Sequence, residues 1–87
     1  MTLQGKWTAN QVWLDGEELK PEKSQKIRNH SPDGFSWGYG GSGPSQLALA
    51  ICIELYGVSK AQEIYQEFKW KYIATLPQTD FNIEIPI

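Results

Sequence analysis

Residues Gly38 to Gly43 read Gly-Tyr-Gly-Gly-Ser-Gly, and Pro44 and an almost wholly apolar run to Leu55 follow them. Formally this is the G-x-G-x-x-G spacing, which between a strand and a helix cradles the pyrophosphate of a dinucleotide. Three features argue against that chemistry. The strand expected before the glycines belongs to a hairpin, Pro44 intrudes on the helix start, and too few residues follow Gly43 to build the remaining parallel βαβ units. A P-loop fits less well still, because Pro44 and Ser45 stand where Lys and Ser or Thr should follow the last glycine. A more general property remains. The first N–H groups of a helix are unpaired, and its dipole places about half a positive charge there, so a glycine-rich helix start suits an anion. Arg28 and His30 on the neighbouring strand would add positive charge, and Trp37 or Tyr39 would stack on a base. The expected ligand-binding residues are Arg28, His30, Trp37, Tyr39, Gly40, Gly41, Ser42 and Gly43. A purely structural alternative stands beside this one: glycines also permit a tight strand-to-helix turn under a crowded aromatic row.

Catalysis has less to rest on. His30, Ser31 and Asp33 supply the residue types of a hydrolase triad, but neighbours in a turn point apart, and a triad is defined by geometry. Asp33 reads as a turn residue with Ser31 as its hydrogen-bonding partner, and His30 as a solvent-facing strand residue. The glycine run also misses the nucleophile elbow, since Pro44 replaces its last glycine. One histidine and one cysteine, Cys52, give no metal-ligand spacing, so no metal, cofactor or catalytic residue is assigned. Lys69 and Lys71, flanking Trp70, read as a solvated helix face.

These residues must be positioned by a small domain. Eighty-seven residues make one domain spanning 1–87, of a size that buries only roughly 60–65% of its surface on folding. A 13% aromatic content, including Trp7, Trp13, Trp37 and Trp70, marks a folded chain rather than a disordered one. The net charge of −2, with both signs interspersed, offers no basic field and argues against nucleic acid as a partner. Cys52 lies in the apolar run as a small buried hydrophobe, and a lone cysteine forms no internal disulfide. No signal pattern and no apolar run long enough for a bilayer is visible, so a cytoplasmic protein without membrane contact is expected.

The expected fold is α+β: a small, mainly antiparallel sheet, made of N-terminal hairpins plus a C-terminal strand, packed on two consecutive helices. Asp15-Gly16, between QVWL and EEL, favours a primed hairpin turn. Lys20 to Ser24 is polar, contains Pro21 and reads as a loop. Ser31-Pro32-Asp33-Gly34 suits a type I turn, expected to join a strand at Lys26 to His30 with another at Phe35 to Tyr39. Alternation then places Phe35, Trp37, Tyr39 and Ile27 on the buried face and Arg28 and His30 on the polar one.

Pro44 fits the first helical position, with Ser42 or Gly43 as N-cap and Gly57 as a left-handed stop after Tyr56. Leu47, Ile51 and Leu55 are expected to face the sheet, while Leu49, Ile53 and Tyr56 need the next helix as cover. That helix begins with a capping box, Ser59 with Gln62, and runs to about Thr75 before Pro77. Phe81, Ile83 and Ile85 alternate in a closing edge strand before Pro86. Apolar surface left uncovered in so small a domain suggests a homodimer.

The run RNHSPDGFSWGYGGSGPSQLALAI, with the downstream YQEFKWKYIATLP, resembles the signature of a small family of short bacterial, phage and plasmid proteins, a domain of unknown function. Its core reads R-H-S-P-D-G-F-x-W-G-Y-G-G-S-G-P-x-x-L-A-L-A. The similarity covers about Gln25 to Pro77, and Asn29 departs from the pattern by standing between Arg28 and His30. The resemblance implies a phage or mobile-element setting in which small proteins interfere with host defences. It points to Arg28, His30, Asp33, Trp37, Tyr39, Gly40, Gly41, Ser42 and Gly43.

The leading functional expectation is a non-enzymatic module that holds an anionic, phosphate-bearing small molecule, such as a nucleotide signal. The rival is a protein-interaction module that inhibits a host defence protein through exposed aromatic anchors. A small phosphodiesterase using His30 is the third.

Overall fold

The structure, a computed structural model, describes residues 1–86. Four strands form one antiparallel sheet: β1 Thr2–Lys6, β2 Gln11–Leu14, β3 Glu17–Leu19 and β4 Phe81–Glu84, in the order β3-β2-β1-β4. Asp15 and Gly16 both have positive φ, 50° and 84°, as a primed turn between β2 and β3 requires. The register sets Leu3 between Leu14 and Ile83, and Gly5 between Val12 and Phe81. Period-two alternation therefore puts Leu3, Val12, Leu19, Phe81 and Ile85 on the buried face. β4 is an edge strand, and it pairs the two ends of the chain.

Three helices complete the α+β fold: α1 Glu22–Ile27, α2 Ser42–Tyr56 and α3 Val58–Phe68, the last continued by a π-helical turn at Lys69–Ile73. Every residue of α2 from Gly43 to Ile53 is buried, so it is the central element, with the sheet, α3 and the 28–41 segment around it. α3 covers the second face of α2, and Leu49 and Ile53 are accordingly buried within one chain. That removes most of the apolar face on which a dimer was expected. Leu55 is only half-buried and Tyr56 is exposed. No helix among the described residues is long and apolar enough to cross a membrane.

The second expected hairpin does not form. Lys20 to Ser24 is not simply a loop: Pro21 sits in helical conformation before α1, and the Ser24 hydroxyl donates to the Pro21 carbonyl at 2.8 Å. With residues 22–27 helical, Phe35 to Tyr39 has no strand to pair with and runs as irregular chain. The type I turn itself is present, closed by the Gly34 N–H on the Ser31 carbonyl at 3.2 Å. Phe35 and Trp37 are buried, but Ile27 and Tyr39 are exposed, so the expected aromatic face divides.

Helix limits also differ. α2 begins at Ser42 with Gly41 as N-cap, which makes Pro44 its third residue. Proline fits there because the first N–H groups of a helix have no carbonyl to bond. Gly57 has φ 84° and ψ 167°, a glycine-only conformation distinct from the left-handed helical one, and it is also the N-cap of α3. Ser59 therefore lies inside α3 and the capping box is not made.

Candidate functional site

The glycine run is fitted to its neighbours. At Gly38, φ is 84°, and a Cβ would stand 2.9 Å from the Leu76 carbonyl oxygen, while the Gly38 N–H donates to Ile73 at 3.0 Å. At Gly40 a Cβ would collide with the Trp70 ring, and at Gly41 with the Tyr39 ring. A Cβ on Gly43 would lie 2.7 Å from that of Ser36. Gly41 itself has φ −88°, so close approach rather than backbone conformation explains its lack of a side chain. The run thus lets two aromatic rings and the 31–36 loop close over the start of α2.

Gln46, fully buried on α2, fixes the segment that carries the candidate cations. Its Oε1 accepts from the N–H groups of His30 and Ser31, at 2.7 and 3.0 Å. Its Nε2 donates to the Ser24 hydroxyl at 2.8 Å and the Arg28 carbonyl at 3.1 Å. His30 is not a solvent-facing strand residue. It is half-buried, and its Nε2 shares a 2.7 Å hydrogen bond with the Tyr65 hydroxyl on α3. Burial, followed by the positive charges of Arg28 and Lys69, holds its pKa below the usual 6.5. The imidazole is therefore neutral at pH 7.

Lys69 corrects the expectation of a solvated helix face. It is only 5% exposed, its Nζ donates to the Gly40 carbonyl at 3.3 Å, and the ammonium lies 4.4 Å from the centroid of the Trp70 ring. Among the described residues no carboxylate pairs with Lys69, Arg28 or His30. A buried charge without a counter-ion is costly, and here it stands beside the positive end of a helix dipole.

A cleft of about 270 Å³ opens onto the same helix start, lined by Asn10, Ser31, Asp33, Ser36, Tyr39 and Ser42, with Gly43 at its floor. Hydroxyls dominate it, and Asp33 is its one carboxylate. An apolar groove of about 230 Å³ on α3, at Ile64, Phe68 and Tyr72, contains none of these residues. Trp37 is fully buried, donating its indole N–H to Thr79 at 3.0 Å and packing edge-on against Trp7 and Phe81, so it belongs to the core and not to a ligand site. The structure brings together Tyr39, Gly40, Gly41, Ser42 and Gly43, with His30 behind them on Tyr65. Arg28 is exposed beside α1, with its charge felt at His30. Cys52 is buried and its thiol pKa is pushed up to about 12, which makes it inert. No three metal-ligating side chains cluster among the described residues.

Gln46, Tyr65, Lys69 and Trp70 are the site residues that the sequence reading missed. A signal for Lys69 was present: Ala61, Tyr65 and Lys69 follow at i, i+4 and i+8, on the buried face of α3.

Residues 3–85 match a family of unknown function, DUF6166, and the chain belongs to that family. No curated protein and no solved structure matches it.

Proposed function

We propose that this DUF6166 chain is a non-enzymatic binding module that holds an anionic, phosphate-bearing small molecule at the start of α2. The observation that carries this reading is Lys69, a buried residue whose ammonium donates to the Gly40 carbonyl with no carboxylate partner among the described residues. The N–H groups of Ser42 and Gly43 stand at the same helix start, and the charges of Arg28 and Lys69 both act on His30. A bound phosphate relieves the repulsion among these groups, and that relief is a source of affinity. Neutral His30 serves as a hydrogen-bonding group, engaged by the Tyr65 hydroxyl at 2.7 Å. A cytoplasmic setting suits a chain whose single thiol is free and buried.

A second reading has its own observation. Tyr39 and Trp70 are both exposed, their rings against Gly41 and Gly40, as anchors for a protein partner would be.

Backbone amide spectra during a titration with inorganic pyrophosphate test the first reading. Shifts should concentrate at Gly40 to Gly43, and Arg28→Ala should weaken binding roughly 10- to 150-fold, the range for a hydrogen bond to a charged group. Shifts scattered over the surface, or none, would count against it.

A further inference from the structure

We infer that the ligand is a free nucleotide and that Trp70 is the platform on which its base stacks. The inference rests on the anion-binding reading above and adds the chemical class of the ligand. Trp70 is 59% exposed, more than Ile27, Tyr39, Tyr56 or Val58, the other large apolar side chains that reach solvent. It is nevertheless not a loose surface residue. Its six-membered ring occupies the space a Gly40 side chain would fill, and the Lys69 ammonium stands 4.4 Å from its ring centroid. The π-helical turn at Lys69–Ile73, closed by the Ala74 N–H on the Lys69 carbonyl at 2.8 Å, carries both residues. One side chain of that turn thus goes in as a buried cation, and the next stands out as an open indole.

Tyr39 repeats the arrangement on Gly41, with its ring against the backbone and 44% of its surface exposed. A fixed indole open to solvent, next to an ammonium that no carboxylate pairs among the described residues, matches a molecule that is planar and aromatic at one end and anionic at the other. A nucleotide has that composition. Stacking on an aromatic side chain accepts any base, so this geometry selects the class and not the base. A free nucleotide fits better than a nucleic-acid strand, because a chain of net charge −2 presents too few cations to follow successive phosphates.

Titration calorimetry with ribose 5-phosphate, adenosine 5′-monophosphate, guanosine 5′-monophosphate and a short single-stranded oligonucleotide tests this on the whole chain. The nucleotides should bind roughly ten- to a hundredfold more tightly than ribose 5-phosphate, as one stacked base contributes. Trp70→Ala should bring them down to the level of ribose 5-phosphate and leave ribose 5-phosphate itself unchanged. Trp70→Leu keeps an apolar cover on Gly40 without a ring, so it should do the same should the alanine variant fail to fold. Equal affinity for nucleotide and ribose 5-phosphate in the unaltered protein, or a preference that survives both variants, overturns the stacking platform and leaves the anion site standing. Tighter binding of the oligonucleotide overturns the free-nucleotide assignment. Binding of no phosphate compound removes the anion reading together with this one.

Discussion

Replacing Lys69 with methionine deletes the ammonium and keeps a side chain of similar length in the same buried slot. Two interactions disappear: the 3.3 Å hydrogen bond to Gly40 and the contact with the Trp70 ring. The first contributes about 1.5–3 kcal/mol and the second up to about 2 kcal/mol when desolvated. Against them stands the cost of holding a charged group on a side chain 5% exposed, which disappears with the charge. Gly40 is half-buried, so water reaches its freed carbonyl. The two terms oppose one another, and folding stability should fall by less than about 3 kcal/mol. Phosphate affinity should instead fall by about 1.5–3 kcal/mol, roughly 10- to 150-fold, because nothing replaces the charge. Urea denaturation and calorimetric titration with pyrophosphate measure the two quantities on one sample. A loss of stability above about 3 kcal/mol with unchanged affinity would refute the reasoning and make Lys69 a strut for the glycine loop.

Ile51→Ala on the fully buried face of α2 should cost about 2–4 kcal/mol in chemical denaturation, and a change under about half a kcal/mol would contradict the central placement of that helix. Gly38→Ala should cost more than about 2 kcal/mol, since the new methyl meets the Leu76 carbonyl in a left-handed backbone; near-native stability would mean that the 38–41 bend is not rigid. His30 has a folded-state pKa below 6.5, so as pH falls the unfolded chain takes up the proton first. Its contribution to stability is present above about pH 6.5 and is lost as pH drops toward the folded-state value. Denaturation at about pH 7.5 and about pH 5 should therefore show a smaller acid loss in His30→Gln than in the unaltered protein, and an equal loss would place His30 in solvent.

The sheet and the two long helices were legible because each has a local signature. Asp15-Gly16 dictates a primed turn, the run from Leu47 to Ile53 is too apolar for a surface helix, and Phe81, Ile83 and Ile85 alternate. The path from Ser24 to Ser31 is not legible, because it is held by Gln46, 15 to 22 positions further along the chain. Alternation at Phe35 and Trp37 imitates a strand, yet the two rings fill a core below α2 without a ladder partner. The glycine run stands out in the sequence, but its cause is steric: rings from Tyr39 and Trp70 lie on it, and no local pattern reveals a contact between positions 40 and 70. Lys69 was misread because two lysines flanking a tryptophan resemble a solvated face, although the spacing from Ala61 and Tyr65 points inward.

The most direct test of the anion site is thermal unfolding of the unaltered protein in the presence of phosphate, pyrophosphate, ribose 5-phosphate and mononucleotides. The account predicts a rise in Tm with at least one of them, smaller at high salt, with about 2.7 kcal/mol of stabilisation at a hundred times the dissociation constant. A well-folded protein whose Tm none of these compounds raises would contradict it and leave the exposed Tyr39 and Trp70 as anchors for a protein partner.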